Sequence, residues 1–341
     1  MTPRIVDIAR AAEVSPSAVS LALNNKAGVS AKIRRKISAI AAEMGYKTFA
    51  TAESGTANEN ITIKLLKIAK HGRIINEHHS AFITGYMEGI EAGAKKWNYK
   101  LQVSFFDKIP IENIVESQRN TLADGLIVLG TELNAHELTF FTTLPRPIVF
   151  IDTYFPLSIY DCIDMDNVDG VFKAIHHLYT NGHRNIGMIG SNLETRNFKV
   201  REQGFREVME YFSLPIQERF LISVAPTFDQ SIVNINKFLN KTNSLPSAFF
   251  CLNDILAYGC LKALRDHNIR VPEDVSIIGF DDLPSSSFAD PPLTTIRVST
   301  RQIGQRALER LAQRISGYSY ELPENILISG TLITRSSVRQ L

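Results

Sequence analysis

The chain has 341 residues, of which 44% are hydrophobic and 21% are charged. This length exceeds one ordinary domain, and the composition is that of a globular protein able to build its own core. Residues 1–47 contain eight basic and three acidic side chains, a net charge of +5 that leaves −3 for the rest of the +2 total. A basic N-terminal segment beside a mildly acidic remainder is typical of a nucleic-acid-binding protein, although a solvated basic surface has the same composition.

The cysteines and the hydropathy pattern exclude several other classes of protein. Cys162, Cys251 and Cys260 are scattered and lack C-x-x-C spacing, so we expect neither a disulfide framework nor a zinc site. No stretch approaches the roughly 20 apolar residues of a membrane span, and the N-terminus has no apolar export signal. The eight histidines show no metal-ligand spacing. We therefore expect a cytoplasmic protein without a metal, a cofactor or a membrane partner.

The first 47 residues predict three short helices. Residues 5–12 have apolar side chains at helical spacing. Ser15 can cap a second helix, with Pro16 in its first turn, and a third helix fits between Ser30 and Gly45. Two short helices joined by a tight turn, with a third packed behind them, are typical of a helix-turn-helix DNA-binding domain.

A linker and a larger α/β region follow. Residues 48–60 are mostly small and polar and contain no Lys or Arg, which indicates a linker. Strand candidates are 61–68, 101–106, 125–129, 148–151, 185–190, 219–224, 248–252, 275–280 and 326–333. Helix candidates are 80–97, 113–122, 168–181, 198–212, 230–240, 254–267 and 300–316. This alternation predicts two lobes with doubly wound parallel sheets and a cleft between the strand carboxyl ends.

A series of short motifs along the chain is typical of one known family. In the first 47 residues they are Asp7-Ile8-Ala9, Val14-Ser15, Val19-Ser20, Leu23-Asn24, Val29-Ser30 and Gly45-Tyr46. In the remainder they are Gly182-His183-Arg184-Asn185-Ile186-Gly187, Arg201-x-x-Gly204-Phe205, Asn253-Asp254-x-x-Ala257-x-Gly259, Val275-Ser276-Ile277-Ile278-Gly279-Phe280-Asp281-Asp282 and Pro291-Pro292-Leu293-Thr294-Thr295. With this content and order, the chain resembles the LacI/GalR family of bacterial transcriptional regulators along nearly its whole length.

The resemblance implies a helix-turn-helix domain over 1–47, a hinge over 48–60 and an effector-binding and dimerisation domain over 61–341. The last of these would be periplasmic-binding-protein-like. Its two lobes would cover about 61–160 and 161–290, with segments after about Thr294 crossing back to both.

The resemblance also assigns DNA-binding roles to the head. The second helix of such a head enters the major groove, so Pro16, Ser17 and Leu21 should face base edges. Only Ser17 can hydrogen-bond, whereas Pro16 and Leu21 offer apolar contact, for instance to a thymine methyl group. Positions that contact the DNA backbone in the family are occupied here by Ser15, Ser20, Asn24, Ser30 and Arg34. The alternative is that some of these side chains simply pack within the head.

The hinge departs from the family pattern. Glu53 stands at the usual arginine position and Gly55 at the usual leucine position. Phosphates repel a carboxylate, and glycine cannot wedge between base pairs. Either Phe49 supplies a different wedge or the hinge contributes little to DNA binding.

For the cleft, the resemblance implies a ligand site. The candidate ligand-binding residues are Phe82, Asp152, Arg201, Phe228, Asp254, Asp281 and Asp282. Carboxylates and a guanidinium at strand ends can hydrogen-bond vicinal hydroxyls or a heterocycle, and phenylalanine can stack against a ring. The expected effector is therefore a sugar or a sugar derivative.

Each candidate also has a structural interpretation. Asp254 can cap the next helix, and one of Asp281 and Asp282 can form a turn instead of a ligand contact. Phe82 and Phe228 can belong to the core.

The loop after the first body strand is basic, with Lys70, His71 and Arg73 near the expected cleft. It would favour an anionic effector, unless it is only a solvated loop.

The predicted function is that of a sequence-specific transcriptional repressor. A homodimer would read a palindromic operator in double-stranded DNA, because one small head offers too few contacts for useful specificity. The chain shows no dinucleotide, phosphate-loop, nucleophile-elbow or zinc-protease motif, so an enzyme is not expected. A solute-binding protein shares the lobes but not the basic head. A regulator controlled by a protein co-regulator or by a corepressor remains open.

Overall fold

The computed structural model describes residues 5–23, 28–44, 61–72, 80–156, 158–317 and 322–341. Asn24, Arg73 and the predicted hinge with Phe49, Glu53 and Gly55 lie outside the described residues. Within the described ranges, no helix is long and apolar enough to cross a membrane.

The head contains the three predicted helices: α1 (Ile5–Ala12), α2 (Pro16–Leu23) and α3 (Ala31–Glu43). Its core consists of small and branched apolar side chains from all three helices: Ile8, Ala9, Ala12, Val19, Ala22, Leu23, Ile37 and Ala41. The hydroxyl oxygen of Ser15 accepts a hydrogen bond from the backbone N–H of Ala18, 3.2 Å away, at the start of α2. The predicted serine cap is therefore present.

The rest of the chain alternates strands with helices. Its elements are β1 (Thr62–Ala69), α4 (Ser80–Trp97), β2 (Lys100–Asp107), α5 (Ile111–Arg119), β3 (Gly125–Leu129), α6 (Ala135–Leu138), β4 (Ile148–Ile151), β5 (Asp161–Met165), α7 (Asn167–Thr180), β6 (Ile186–Ser191), α8 (Arg196–Tyr211), β7 (Leu221–Val224), α9 (Phe228–Leu239), β8 (Ala248–Cys251), α10 (Asp254–Asp266), β9 (Ser276–Ile278), β10 (Thr295–Arg297), α11 (Thr300–Ile315), β11 (Asn325–Ile328) and β12 (Thr331–Ile333).

Two parallel sheets form the cores of the two lobes. The first has six strands in the order β11-β5-β4-β3-β1-β2, and the second has four in the order β7-β6-β8-β9. In the second lobe, α7 packs against α8 and α9 against α10. Central strands such as β3, β4 and β8 are buried along their whole length, as expected for parallel strands covered on both faces. The predicted α/β class with two lobes is confirmed.

After β10 the chain returns to the first lobe, and its last residues contact the second lobe again. Helix α11 packs along α4, and β11 pairs with β5. The two helices approach closely at glycines: a Cβ added to Gly89 would lie 2.0 Å from the carbonyl oxygen of Arg301, and one added to Gly304 would lie 2.2 Å from that of Tyr86. Glycine at these positions is what allows the two helices to touch.

Three details differ from the prediction. Strand β5 (161–165) belongs to the first sheet, so the first lobe extends one strand beyond the predicted boundary at about residue 160. The single strand candidate 326–333 is two strands, β11 in the first sheet and β12 paired antiparallel with β10. Strands β5 and β10 and helix α6 were not predicted, because they are short and β5 contains two aspartates.

A buried ion cluster links α11 and β11, the segment that returns to the first lobe, to the first sheet. Asp161, at the start of β5, lies 3.0 Å from Nε of Arg310 and 2.6 Å from Nε of Arg314, both on α11. The backbone N–H of Glu324 also donates to this carboxylate over 2.8 Å. Burial tends to raise the pKa of Asp161, but these hydrogen bonds outweigh it and hold that pKa below its ordinary value. The carboxylate is therefore charged at neutral pH and holds three chain segments together.

Candidate functional site

The exposed face of α2 carries the residues predicted to read bases. Pro16 and Ser17 are exposed, and Ser20 and Leu21 are half-buried, whereas Val19 packs in the head core. The pattern places the predicted base-contacting side chains on the outer side of the helix, which is what insertion into a major groove requires.

Two predicted backbone contacts are helix caps in the free protein. The hydroxyl oxygens of Ser15 and Ser30 accept from the N–H groups of Ala18 and Ile33, at 3.2 Å and 3.4 Å. Arg34, also predicted to contact the DNA backbone, is half-buried, and its Nη1 donates to the carbonyl oxygens of Leu21 and Ala22 at the end of α2.

A cavity lies between the two lobes, at the carboxyl ends of the strands. Its walls come from α4, from the residues that follow β3, β4, β8 and β9, from the end of β5 and from the start of α8. The lining residues are Phe82, Ile83, Thr131, Asp152, Met165, Thr195, Asn197, Phe198, Arg201, Asn253 and Asp281. The free space is about 40 Å³, room for about three water molecules. Four of the seven predicted ligand residues, Phe82, Asp152, Arg201 and Asp281, line this cavity.

Asp152 is the polar centre of the first-lobe wall. It follows β4 with a φ of +61°, a left-handed backbone conformation that turns the chain sharply at the strand end. Its carboxylate accepts from the Tyr86 hydroxyl at 2.8 Å, from Asn197 Nδ2 at 3.2 Å and from the Thr131 hydroxyl. Burial raises the pKa of Asp152, and these hydrogen bonds offset only part of that rise. Since Asn197 belongs to the second lobe, Asp152 also links the two lobes.

Arg201 is the cationic centre of the second-lobe wall. Its Nε donates to Asn167 Oδ1 at 2.7 Å, and its Nη1 donates to the Leu252 carbonyl oxygen at 2.6 Å and to Asp281 Oδ1 at 3.3 Å. The guanidinium carbon lies 3.7 Å from the centre of the Phe280 ring. These contacts fix the plane of the guanidinium, so its position is set before any ligand arrives.

Among the described residues, buried carboxyl groups outnumber buried cations around this cavity. Asp152, Asp164 and Asp281 are all buried, and Arg201 is the buried cation beside them. Asp164 Oδ1 accepts from the backbone N–H of Met165 at 2.8 Å, whereas its Oδ2 has no hydrogen-bond partner within the described residues. Burial raises the pKa values of Asp164 and Asp281 well above the ordinary range, even with Arg201 nearby. The same desolvation penalty would apply to an anionic group buried in this cavity.

Asp254 does not line the cavity, contrary to the prediction. Its carboxylate accepts from the Ser286 hydroxyl at 2.6 Å, the Thr295 hydroxyl at 2.6 Å and the Leu283 N–H at 2.9 Å. Burial raises the pKa of Asp254 to about 7, and the three hydrogen bonds oppose that rise. The side chain that caps α10 is that of Asn253, which accepts from the Leu256 N–H. Asp254 thus crosslinks the start of α10 to the segment that follows β9 and to β10.

Asp282 and Phe228 also lie away from the cavity. Asp282 lies 2.6 Å from Nε of Arg297 and 2.7 Å from Nη2 of Arg335, and these ion pairs hold the returning segments against β9. Phe228 begins α9 and lies beside Tyr258 and other residues of a separate surface depression. Neither side chain reaches the cavity between the lobes.

Asn197, which lines this cavity, and Asn167 behind it were not among the residues predicted from the sequence. Asn197 donates to Asp152 across the cleft, and it also accepts from Asn167 Nδ2 at 3.0 Å. Both asparagines lie in the first turn of a helix that follows a strand of a parallel sheet, where side chains point towards the ligand cleft. That position, rather than charge, is the signal that could have found them.

The basic loop after β1 is held by acidic residues. The Lys70 ammonium lies 2.7 Å from Glu137, and the Glu132 carboxylate accepts from the N–H groups of Lys70 and His71 at 2.6 Å and 2.7 Å. The charge of Lys70 is thus already paired, which weakens the interpretation that this loop attracts an anionic effector.

A helix-turn-helix head on a two-lobed cleft domain defines a ligand-responsive DNA-binding regulator. Residues 4–48 match the profile described as bacterial regulatory proteins, lacI family, and residues 175–338 match a periplasmic binding protein-like domain. The chain is 30% identical to the HTH-type transcriptional repressor PurR of Haemophilus influenzae, over 99% of both chains. It is 29% identical to the ribose operon repressor of the same species, over 98% of both chains. The chain belongs to the lacI family of bacterial regulatory proteins; it is a DNA-binding transcriptional repressor that responds to a small-molecule effector, and it is not an enzyme.

Solved structures share the whole architecture. The transcriptional regulator CelR in complex with cellobiose superposes with a TM-score of 0.73 at 22% identity, covering 98% of this chain and 99% of that one. A lac repressor dimer bound to operator and an anti-inducer gives a TM-score of 0.70 at 23% identity, covering 99% and 100%. At these identities the likeness establishes the fold.

Proposed function

We propose that this repressor releases its operator when an uncharged, polyhydroxylated small molecule, a sugar or a close derivative, binds between the lobes. The observation that carries the proposal is the cavity between Asp152 and Arg201, where carboxylates, amides and a guanidinium are held by their neighbours within hydrogen-bonding reach of a common space. Two relatives carry names that fit this chemistry, the ribose operon repressor and a cellobiose-bound regulator.

Charge favours a neutral ligand over an anionic one. Burial disfavours charged carboxyl groups here even beside Arg201, so a phosphate or carboxylate group of a ligand would meet the same desolvation penalty, whereas hydroxyl groups can hydrogen-bond to Asp152 and Asp281 and accept from Arg201. Phe82 and Phe198 supply apolar walls against which the carbon face of a sugar ring can pack.

Direct contacts between the two lobes provide a means for the ligand to change the conformation. Arg196 of the second lobe donates from Nε to the Tyr154 carbonyl oxygen at 3.1 Å, and Asn197 donates to the Asp152 carbonyl oxygen at 3.1 Å. The present space of about 40 Å³ is smaller than a monosaccharide. The lobes must therefore separate to admit the ligand and re-form a different set of contacts around it, which changes the angle between them.

Ligand binding would act on DNA affinity through the spacing between the two heads of a dimer. We infer a cytoplasmic homodimer that reads a palindromic operator, since a single head of three short helices offers few base contacts and a twofold axis doubles them. A change of lobe angle in each subunit then alters the distance between the heads and with it the affinity for operator.

The first experiment tests sequence-specific binding to DNA. Fragments of the source genome are selected on the purified full-length protein and sequenced, and a recovered palindrome is the expected result. Repeating the selection with Ser17→Ala and Leu21→Ala should change the preferred bases in each half-site; an unchanged preference would place the reading surface elsewhere.

The ligand class is tested by thermal melting with matched compounds. Ribose and cellobiose represent neutral sugars, and ribose 5-phosphate and gluconate represent anions. Neutral compounds should raise Tm and weaken operator binding. Stabilisation by the anions alone would contradict the proposed preference for a neutral ligand. The absence of any selected DNA would contradict the proposed recognition of a specific operator.

A further inference from the structure

Carbonyl groups at the carboxyl end of α2 accept hydrogen bonds from a side chain of another helix. The last carbonyls of any α-helix lack intrahelical partners, and basic side chains in the last turn often satisfy them. Helix α2 has eight residues and no basic residue in its last turn. The partner comes instead from another helix.

That partner is Arg34, in the first turn of α3. Its Nη1 donates to the carbonyl oxygen of Ala22 at 2.8 Å and to that of Leu21 at 3.2 Å. Ala22 is buried in the head core, whereas the side chain of Leu21 belongs to the outer face of α2. One nitrogen of the guanidinium thus spans the boundary between the packed face and the DNA-facing side of the helix.

Both ends of α2 are therefore fixed by side chains. Ser15 holds the first turn through the Ala18 N–H, and Arg34 holds the last turn through two carbonyl oxygens. An eight-residue helix is only about 12 Å long, so a tilt at its last turn displaces Leu21 and, with it, Ser17 one turn earlier.

We propose that Arg34 is a positioning residue for sequence readout: it locks the reading helix at the angle at which its side chains meet the base edges. The family resemblance implied a contact with the DNA backbone instead. The inference depends on the proposed function, because it requires that the protein discriminates between DNA sequences.

The two roles of Arg34 predict different dependences on salt. A residue that neutralises one phosphate contributes about one unit to the slope of log K against log salt concentration, and its loss weakens binding to every sequence alike. A residue that orients the reading helix affects the ratio of specific to non-specific affinity and leaves the slope unchanged.

The experiment uses full-length dimer and two duplexes: the palindrome recovered by selection and a scrambled duplex of the same composition. Affinities are measured over a series of salt concentrations for wild type, Arg34→Met, Arg34→Lys and Lys36→Met. Lys36 is an exposed lysine on the same helix, so Lys36→Met removes one charge from α3 without touching α2.

Arg34→Met is expected to lower the ratio of specific to scrambled affinity at least tenfold with an unchanged slope per head. Arg34→Lys keeps the charge, but its ammonium has a shorter reach, so it should lose discrimination as well. Lys36→Met should keep the ratio. A slope that falls by about one per head, with an unchanged ratio and full rescue by Arg34→Lys, would overturn the inference.

A measurement without DNA guards against loss of folding in the variants. The guanidinium N–H signals of Arg34 in selectively labelled wild-type protein should show hindered rotation and slow exchange, because Nη1 is held by two acceptors. Free rotation would overturn the inference. If wild type itself does not discriminate between the two duplexes, the proposed function fails, a result distinct from failure of the positioning role.

Discussion

Replacing Asp161 with asparagine tests the ion cluster that fastens the returning segment to the first sheet. The substitution keeps the size of the side chain but removes the charge that neutralises Arg310 and Arg314. Removing one partner of a buried ion pair costs about 3–5 kcal/mol. Arg310 keeps Glu324 at 3.4 Å, and the side chain of Arg314 is 18% exposed, so we expect the lower end, about 3 kcal/mol.

The assay is thermal unfolding of wild type and variant at pH 7. A loss of about 3 kcal/mol lowers Tm by about 6 °C for a domain of this size. The matched control is Asp274→Asn, which breaks the exposed pair with Arg270 and should leave Tm nearly unchanged because solvent screens such pairs. Equal melting temperatures of the two variants would show that the buried ion cluster does not stabilise the attachment of α11 and β11.

Three further predictions concern packing, protonation and ligand response. Gly89→Ala should destabilise the protein by about 1–3 kcal/mol, because the new Cβ would meet the backbone of α11, whereas Gly190→Ala meets nothing closer than 3.7 Å and should melt close to wild type; equal melting temperatures would contradict the helix crossing. Because burial raises the folded-state pKa of Asp254 to about 7, its contribution to stability is complete below pH 4 and is lost as the pH rises through 7. Denaturant unfolding between pH 4 and 8 should therefore show a weaker pH dependence for Asp254→Asn than for wild type, and identical curves would refute this. Arg201→Lys should abolish the ligand-induced rise in Tm while operator binding without ligand persists; a normal ligand response would remove Arg201 from the site.

Periodicity and motifs predicted most of the fold because most elements are long and bury an apolar face locally. Strand β5 escaped prediction because its Asp161 and Asp164 look like loop residues in the sequence. The partners that make Asp161 tolerable in a buried strand, Arg310 and Arg314, lie about 150 residues later. Only tertiary structure shows that this charge is paired.

The residues that line the cavity were only partly predictable for a related reason. The rule that strand carboxyl ends face the cleft placed Asp152 and Asp281 at the cavity, and the family motif placed Arg201 there. The same rule did not place Asp254 and Asp282 at the cavity, because Asp254 accepts from the hydroxyl groups of Ser286 and Thr295 and Asp282 pairs with the guanidinium groups of Arg297 and Arg335. A short sequence motif contains no information about which donors, distant in sequence, will hydrogen-bond to a carboxylate.

The late return of the chain has a consequence for synthesis on the ribosome. The second lobe's sheet uses one stretch of sequence, from β6 to β9, but the last residues of the chain pack against this lobe: Ser337 donates to the carbonyl oxygen of Ile277, and the N–H of Leu341 donates to that of Asn181. The first lobe lacks its edge strand β11 and its covering helix α11 until residues 300–328 have been made. Both lobes are therefore completed only near the end of synthesis, and we expect a nascent chain to bind its effector only when translation is almost complete.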